Sequence, residues 1–184
     1  MKKVIALLGP PGAGKDTQCD LLSKEYNTKT VSTGKILREE IKKKTKLGKE
    51  IKEMMKKGDL ISDSVVEEII NKEIKKSKNS IILDGSPRDI EQAKVLKNID
   101  LVIFLKCTKK EIVQRLLKRA KIEHRVDDTK EVVEHRWDVY EKETKPVVSF
   151  YKKKKILKEV NGDLSINQVY KQISPVIKKV LSEE

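Results

Sequence analysis

The segment Gly9-Pro10-Pro11-Gly12-Ala13-Gly14-Lys15-Asp16-Thr17 combines residue types that together bind phosphate. Glycines let backbone N–H groups close around anionic oxygens, a lysine adds a point charge, and a hydroxyl follows. The apolar run Val4 to Leu8 precedes this loop and a helical pattern through Leu21-Leu22 follows it. The loop would therefore open a helix whose N-terminal amides face the phosphates. The general pattern sets Ser or Thr directly after the lysine, whereas here Asp16 comes before Thr17. A second element, Asp84-Gly85-Ser86-Pro87-Arg88, follows the apolar run Ile81-Ile82-Leu83. A carboxylate at the end of a buried strand beside a phosphate loop can hold magnesium, directly or through water.

The basic residues divide by type. All but six of the 42 are lysines, spread along helical stretches such as Lys42-Lys43-Lys44 and Lys152 to Lys155, the pattern of solvated faces. The six arginines are Arg38, Arg88, Arg115, Arg119, Arg125 and Arg136. A chain that uses lysine almost everywhere keeps arginine for places that need a planar, permanently charged fork, as against phosphate.

The elements that must carry these groups alternate. Apolar runs of strand length recur at Val4 to Leu8, Thr30 to Ser32, Ser80 to Leu83, Leu101 to Leu105 and Ile156 to Val160. Between them lie helical patterns at 36–43, 47–57, 64–75, 89–97, 109–121, 129–151 and 166–181, beyond the helix that opens at the phosphate loop. Such alternation indicates an α/β fold with a parallel sheet. Ser64 with Glu67, and Asp128 with Glu131, read as capping boxes, and Pro146 is expected to kink or interrupt the long pattern around it.

Composition narrows the function classes. A chain of 184 residues suits one ordinary domain. Cys19 and Cys107 lie far apart in apolar segments, which excludes a disulfide scaffold and reads as buried free thiols of a reducing cytoplasm. The opening Met1-Lys2-Lys3 and its short apolar run imitate a signal peptide, but the run stops at Gly9-Pro10, and no stretch reaches membrane-spanning length. The net charge of +13 raises nucleic acid as a partner, yet aromatic residues make up only 4% and offer no stacking array. A small polyanion is the better match.

These motifs together resemble the adenylate kinase and UMP-CMP kinase family over essentially the whole chain. Gly9 to Gln18 is similar to its G-x-P-G-x-G-K-x-T-Q, in which a residue without a hydroxyl does follow the lysine; Ser32-Thr33-Gly34 with Arg38 to its S-x-G-D-x-x-R; and Asp84 to Arg88 to its D-G-F/Y-P-R. Arg115 and Arg119, Arg125-Val126-Asp127-Asp128, Arg136, Tyr140, Thr144, Pro146 and Val160-Asn161-Gly162 continue the match.

The resemblance implies a P-loop NTPase fold, a five-stranded parallel sheet flanked by helices. One domain would span 1–184, with an NMP-binding insert at about 33–61 and a short lid at about 119–128. It implies reversible, magnesium-dependent transfer of a phosphoryl group between ATP and AMP, giving two ADP. Gly12, Ala13, Gly14, Lys15, Asp16, Thr17, Arg115, Arg119 and Gly162 would bind ATP, with Arg115 stacked on the donor base. Thr33, Arg38, Ile61, Gly85, Arg88, Gln92, Arg125 and Arg136 would bind AMP. Lys15, Arg88, Arg119, Arg125 and Arg136 would be catalytic, and Asp84 would anchor magnesium through water. Asp127 and Asp128 would pair with lid arginines. The five residues between Arg119 and Arg125 fit the short lid and leave no place for zinc. A cytoplasmic monomer acting on soluble nucleotides, with no specific nucleic acid and no membrane, completes the expectation.

Three positions depart from the family pattern: Asp16 for Gly, Lys35 for Asp and Ser86 for an aromatic residue. Asp16 could return a carboxylate to the acceptor phosphate, form an ion pair with Lys35, or face solvent. Thr33 and Gln92 match the adenylate branch rather than the UMP-CMP branch. The alternatives are a UMP or CMP kinase and a nucleotide-binding protein of reduced catalytic activity.

Overall fold

A computed structural model describes residues 1–96, 98–123 and 129–182. The elements are β1 (Val4–Leu8), α1 (Lys15–Tyr26), β2 (Lys29–Ser32), α2 (Thr33–Lys42), α3 (Lys46–Lys57), α4 (Asp63–Lys76), β3 (Ile81–Asp84), α5 (Ile90–Val95), β4 (Leu101–Lys106), α6 (Lys109–Glu123), α7 (Lys130–Val139), a π-helical turn (Tyr140–Thr144), α8 (Lys145–Lys153), β5 (Leu157–Asn161) and α9 (Ile166–Ser182). The strands form one five-stranded parallel sheet in the order β2-β3-β1-β4-β5. This is the α/β architecture with a parallel sheet that the alternation implied, with the five strands of the P-loop fold that the resemblance implied.

Apolar runs without polar alternation form these strands because the sheet is covered on both faces. Successive side chains point to opposite sides. Val4, Ala6 and Leu8, with Leu83 and Phe104, pack against residues of α2, α3, α4, α5 and α8, while Ile5 and Leu7, with Ile82 and Ile103, pack against α1, α6 and α9. Cys19 is buried and Cys107 only half-buried, and both are free thiols. Among the described residues no helix is long and apolar enough to cross a membrane.

The helix boundaries differ from expectation where hydrogen bonds outvote apolar periodicity. Helix α2 begins at Thr33, not Ile36, because the Ser32 hydroxyl accepts from the Lys35 amide. Helix α4 begins at Asp63, so Ser64 lies inside it and is not its cap. Asp128 lies outside the described residues, and Thr129 caps α7 by accepting from the Val132 amide. The long pattern 129–151 resolves into α7, the π turn and α8, with Pro146 in the first turn of α8. Proline lacks an N–H and crowds the carbonyl four residues back, which accounts for the wider turn just ahead of it.

Candidate active site

Strand β1 is the middle of the sheet, with β3 on one side and β4 on the other. Open parallel sheets bind ligands beyond the C-terminal ends of their strands, where the winding reverses. A cavity opens there. The loop after β1 contributes Gly9, Pro11, Gly12, Gly14, Lys15 and Asp16, and the end of β3 contributes Asp84, Gly85, Pro87 and Arg88. Ser32, Gly34, Lys35, Arg38, Gly58 and Leu60 close it from the β2–α3 side, and Arg119, Arg136, Val139, Tyr140 and Thr144 from the other.

The first loop is shaped for a polyanion. Gly14 caps α1 in a left-handed conformation with no side-chain hydrogen bond, so the amides of the first turn face the cavity end without a protein cap. Gly12 adopts φ +80°, and a Cβ there would stand 2.8 Å from Cγ of Leu116, so α6 packs directly beneath the loop. Lys15 folds back over it, donating from Nζ to the carbonyls of Gly9 at 2.9 Å and Pro10 at 2.8 Å. Burial lowers the Lys15 pKa to about 8, against the opposing attraction of Asp84.

The second loop is held residue by residue. Oδ2 of Asp84 accepts from the Ser32 hydroxyl at 2.7 Å, and the Gly85 carbonyl accepts from Nε of Arg88 at 2.8 Å. The Ser86 hydroxyl lies 2.7 Å from that of Thr33, both buried. The Ser86–Pro87 peptide is cis. The Arg88 amide donates to Oε1 of Gln92 at 2.9 Å, and the Arg88 carbonyl accepts from the Thr144 hydroxyl at 2.6 Å.

Gly12, Gly14, Lys15, Asp16, Arg38, Asp84, Gly85, Arg88, Arg119 and Arg136, all expected site residues, come together on this wall. Others stand behind it. Ala13 is buried and donates its amide to the Pro10 carbonyl. Thr17 lies on α1. Thr33 and Gln92 are buried against Ser86 and Arg88, and Ile61 is in the core. Arg115 donates to the Gly162 carbonyl at 2.9 Å and to Glu111, a tie between α6 and the end of β5. Arg125, His124, Asp127 and Asp128 lie outside the described residues. Of the three alternatives open for Asp16, the ion pair with Lys35 is not formed: Lys35 takes Asp20 at 3.2 Å, while Asp16 lines the cavity. Sequence reasoning did not place Gly58, Leu60 or Val139 here; a turn glycine and two aliphatic residues carry no local chemical signal.

Lys15, Lys35, Arg38, Arg88, Arg119 and Arg136 outnumber Asp16 and Asp84 on the wall, which leaves an excess of positive charge for phosphates. The donor set also fits magnesium. Asp84 supplies a hard carboxylate next to the phosphate loop, with the Ser32 hydroxyl on one oxygen. Among the described residues no group of three or more His, Cys, Asp and Glu could hold a metal ion. That combination suits a cation bound through one carboxylate, waters and the substrate's phosphates rather than by an all-protein cage.

The comparisons agree with the geometry. The family model described as adenylate kinase matches residues 7–156. A relative named adenylate kinase from Leptospira biflexa is 42% identical over 179 residues, 92% of this chain and 96% of its own length. Adenylate kinases from Prochlorococcus marinus and Thermus thermophilus are 38% and 36% identical, covering 96% and 93% of this chain and 100% and 95% of theirs. The chain belongs to the adenylate kinase family.

Proposed function

We propose that the chain catalyses ATP + AMP = 2 ADP with magnesium. The observation that carries this is the single cavity in which the uncapped N-terminus of α1, Lys15 and four arginines converge beside Asp84. The γ-phosphoryl group of ATP loses its bond to the β-bridging oxygen and gains one to an oxygen of the AMP phosphate. No proton need be removed, so no general base is required. Positioning and electrostatic stabilisation do the work.

In this reading the Gly12–Asp16 loop, Thr17 and Lys15 hold the donor phosphates, Lys15 exchanging the Gly9 and Pro10 carbonyls for phosphate oxygens. Arg119, Arg125 and Arg136 neutralise the transferring group, and Arg115 and Gly162 border the donor base. Arg38 and Arg88 grip the acceptor phosphate. Thr33, Ile61, Gly85 and Gln92 shape the acceptor pocket, Thr33 and Gln92 acting through Ser86 and the Arg88 backbone. Asp84 would hold magnesium through water, and the ion when bound would supply positive charge against the donor phosphates. The segments 33–61 and 119–128 would close over the substrates and exclude water. The protein would act as a cytoplasmic monomer on soluble nucleotides.

A coupled assay for ADP, run with ATP and with AMP, UMP or CMP in turn, tests the reading. ADP formation that is fastest with AMP and lost on chelation of magnesium is expected. Preference for UMP or CMP would move the chain to the pyrimidine branch, and tight binding of both nucleotides without turnover would make it a binding protein.

A further inference from the structure

The rod formed by α7, the π turn and α8 presents Arg136, Val139, Tyr140 and Thr144 to the cavity. The first three are spaced i, i+3, i+4, one face of an α-helix, and the next place on that face is i+7, which in an unbroken helix is Glu143. The structure puts a different residue there. The Lys145 amide donates to the Tyr140 carbonyl, five residues back, so the turn holds one residue more than an α-helical turn. The register advances by one and Thr144 takes the place. Glu143 instead lies 3.2 Å from Lys142 and borders a separate groove with Ile90 and Pro146.

Thr144 is buried, and its hydroxyl donates to the Arg88 carbonyl at 2.6 Å. With Gln92 on the Arg88 amide, both backbone polar groups of this arginine are held by side chains. The same rod therefore carries Arg136 and holds the backbone of Arg88. A carboxylate at the Thr144 place would instead face the phosphates that the cavity's arginines attract, and like charges in a desolvated site repel strongly.

We propose, resting on the functional reading above, that the π turn is a register device that withdraws Glu143 from the phosphate cavity and makes Thr144 a positioning residue for Arg88. Thr144 touches no reacting atom. It fixes the depth at which the Arg88 guanidinium meets the acceptor phosphate relative to Arg136, and misplacement of such a group by an ångström is enough to cost about a hundredfold in rate.

Thr144→Val keeps the shape and removes the donor, whereas Thr144→Ser keeps the donor. With ATP and AMP, Thr144→Val is expected to lose about tenfold or more in kcat, with the KM for ATP changed less than about threefold, and Thr144→Ser to stay within about threefold of wild type. Glu143→Gln is expected to change kcat by less than about twofold. Equal losses in folded Thr144→Val and Thr144→Ser, a neutral Thr144→Val, or a large loss in Glu143→Gln would each overturn the proposal. If Thr144→Val does not fold, Thr144→Ala takes its place in the same comparison. Should the wild-type protein form no ADP, the functional reading fails alone. The hydrogen-exchange rate of the Arg88 amide then decides the positioning role: faster in Thr144→Val but not in Thr144→Ser supports it, and unchanged in both overturns it.

Discussion

The ammonium of Lys35 lies 3.2 Å from Oδ1 of Asp20, on the second turn of α1, and not at Asp16 one turn earlier. Asp16 and Asp20 share a helix face, and Lys35 takes the outer carboxylate, leaving the inner one toward the phosphate cavity. Both partners are about half exposed, at 51% and 55%. Such pairs contribute roughly 0.2–1 kcal/mol and weaken with salt. A double-mutant cycle on Asp20→Ala and Lys35→Ala should therefore give a coupling of less than about 1 kcal/mol in stability that fades at high salt. Asp16→Gly and Lys35→Asp should be additive in their effects on magnesium dependence. Non-additivity above about 0.5 kcal/mol would show that the two departures compensate each other after all.

Gln92 gives its Oε1 to the Arg88 amide at 2.9 Å and is 4% exposed. Removing it leaves the half-buried Arg88 N–H without that acceptor, which costs up to about 1–3 kcal/mol. Gln92→Ala should therefore lower turnover with every acceptor in parallel and lower the melting temperature. Gln92→Glu, which keeps an oxygen in place, should recover most of the stability. A loss confined to AMP, with other acceptors unaffected, would show that Gln92 reads the adenine edge directly.

How far the sequence speaks depends on whether a residue's partner is near in the chain or far from it. The strands were legible because Val4–Leu8 and Leu101–Leu105 are apolar without interruption, as double-sided burial demands. The glycine loop with Arg38, Arg88, Arg119 and Arg136, which line one cavity, stood out because residue type and spacing are constrained together in such motifs. The Thr33–Ser86 pair was not, since the partners are 53 residues apart and neither hydroxyl advertises a direction. The partner of Lys35 stayed open for a related reason: sequence places Asp16 and Asp20 on one face but does not tell which of them faces the cavity. Pro146 foretold an interruption, but its form, a turn with one extra residue that brings Thr144 rather than Glu143 to the wall, follows from hydrogen bonding that periodicity does not encode.

Gly48 sits inside α3, where helix propensity alone favours alanine by about 1 kcal/mol. Its surroundings reverse that preference. A Cβ at Gly48 would stand 2.5 Å from the Glu40 carbonyl oxygen and 3.2 Å from Cα of Ile41, so backbone of α2 occupies the space. Gly48→Ala must push α3 away from α2 and should destabilise by roughly 1–3 kcal/mol, the usual range for overpacking. For a chain of this size the melting temperature should fall by about 2–4 °C per kcal/mol. Thermal unfolding of Gly48→Ala beside Lys49→Ala, an exposed position on the same helix, checks this. A rise in the melting temperature of Gly48→Ala would mean that the two helices are not packed at this distance in solution.

Burial brings Lys15 to a pKa of about 8, below its ordinary 10.5, so its charge depends on pH within the working range of an assay. Below about 8 the ammonium is present and can exchange the Gly9 and Pro10 carbonyls for phosphate oxygens; above it, the neutral amine dominates in the free protein and binding must first restore the proton. ATP affinity should thus hold steady up to about pH 7.5 and then fall by as much as about tenfold per unit above about 8. Lys15→Arg, permanently charged, should bind more weakly at neutral pH for want of the lysine's compact geometry, yet show no bend in this range. The effect on stability has the opposite sign. Between about 8 and 10.5 the unfolded chain binds a proton at Lys15 that the folded one has shed, so this group's contribution to stability rises with pH through that window. Calorimetric titration of ATP from pH 7 to 9.5, with magnesium saturating, separates these statements. An affinity that is flat across the whole range in the wild type, or a bend that persists in Lys15→Arg, would show that Lys15 keeps its proton and that another group titrates.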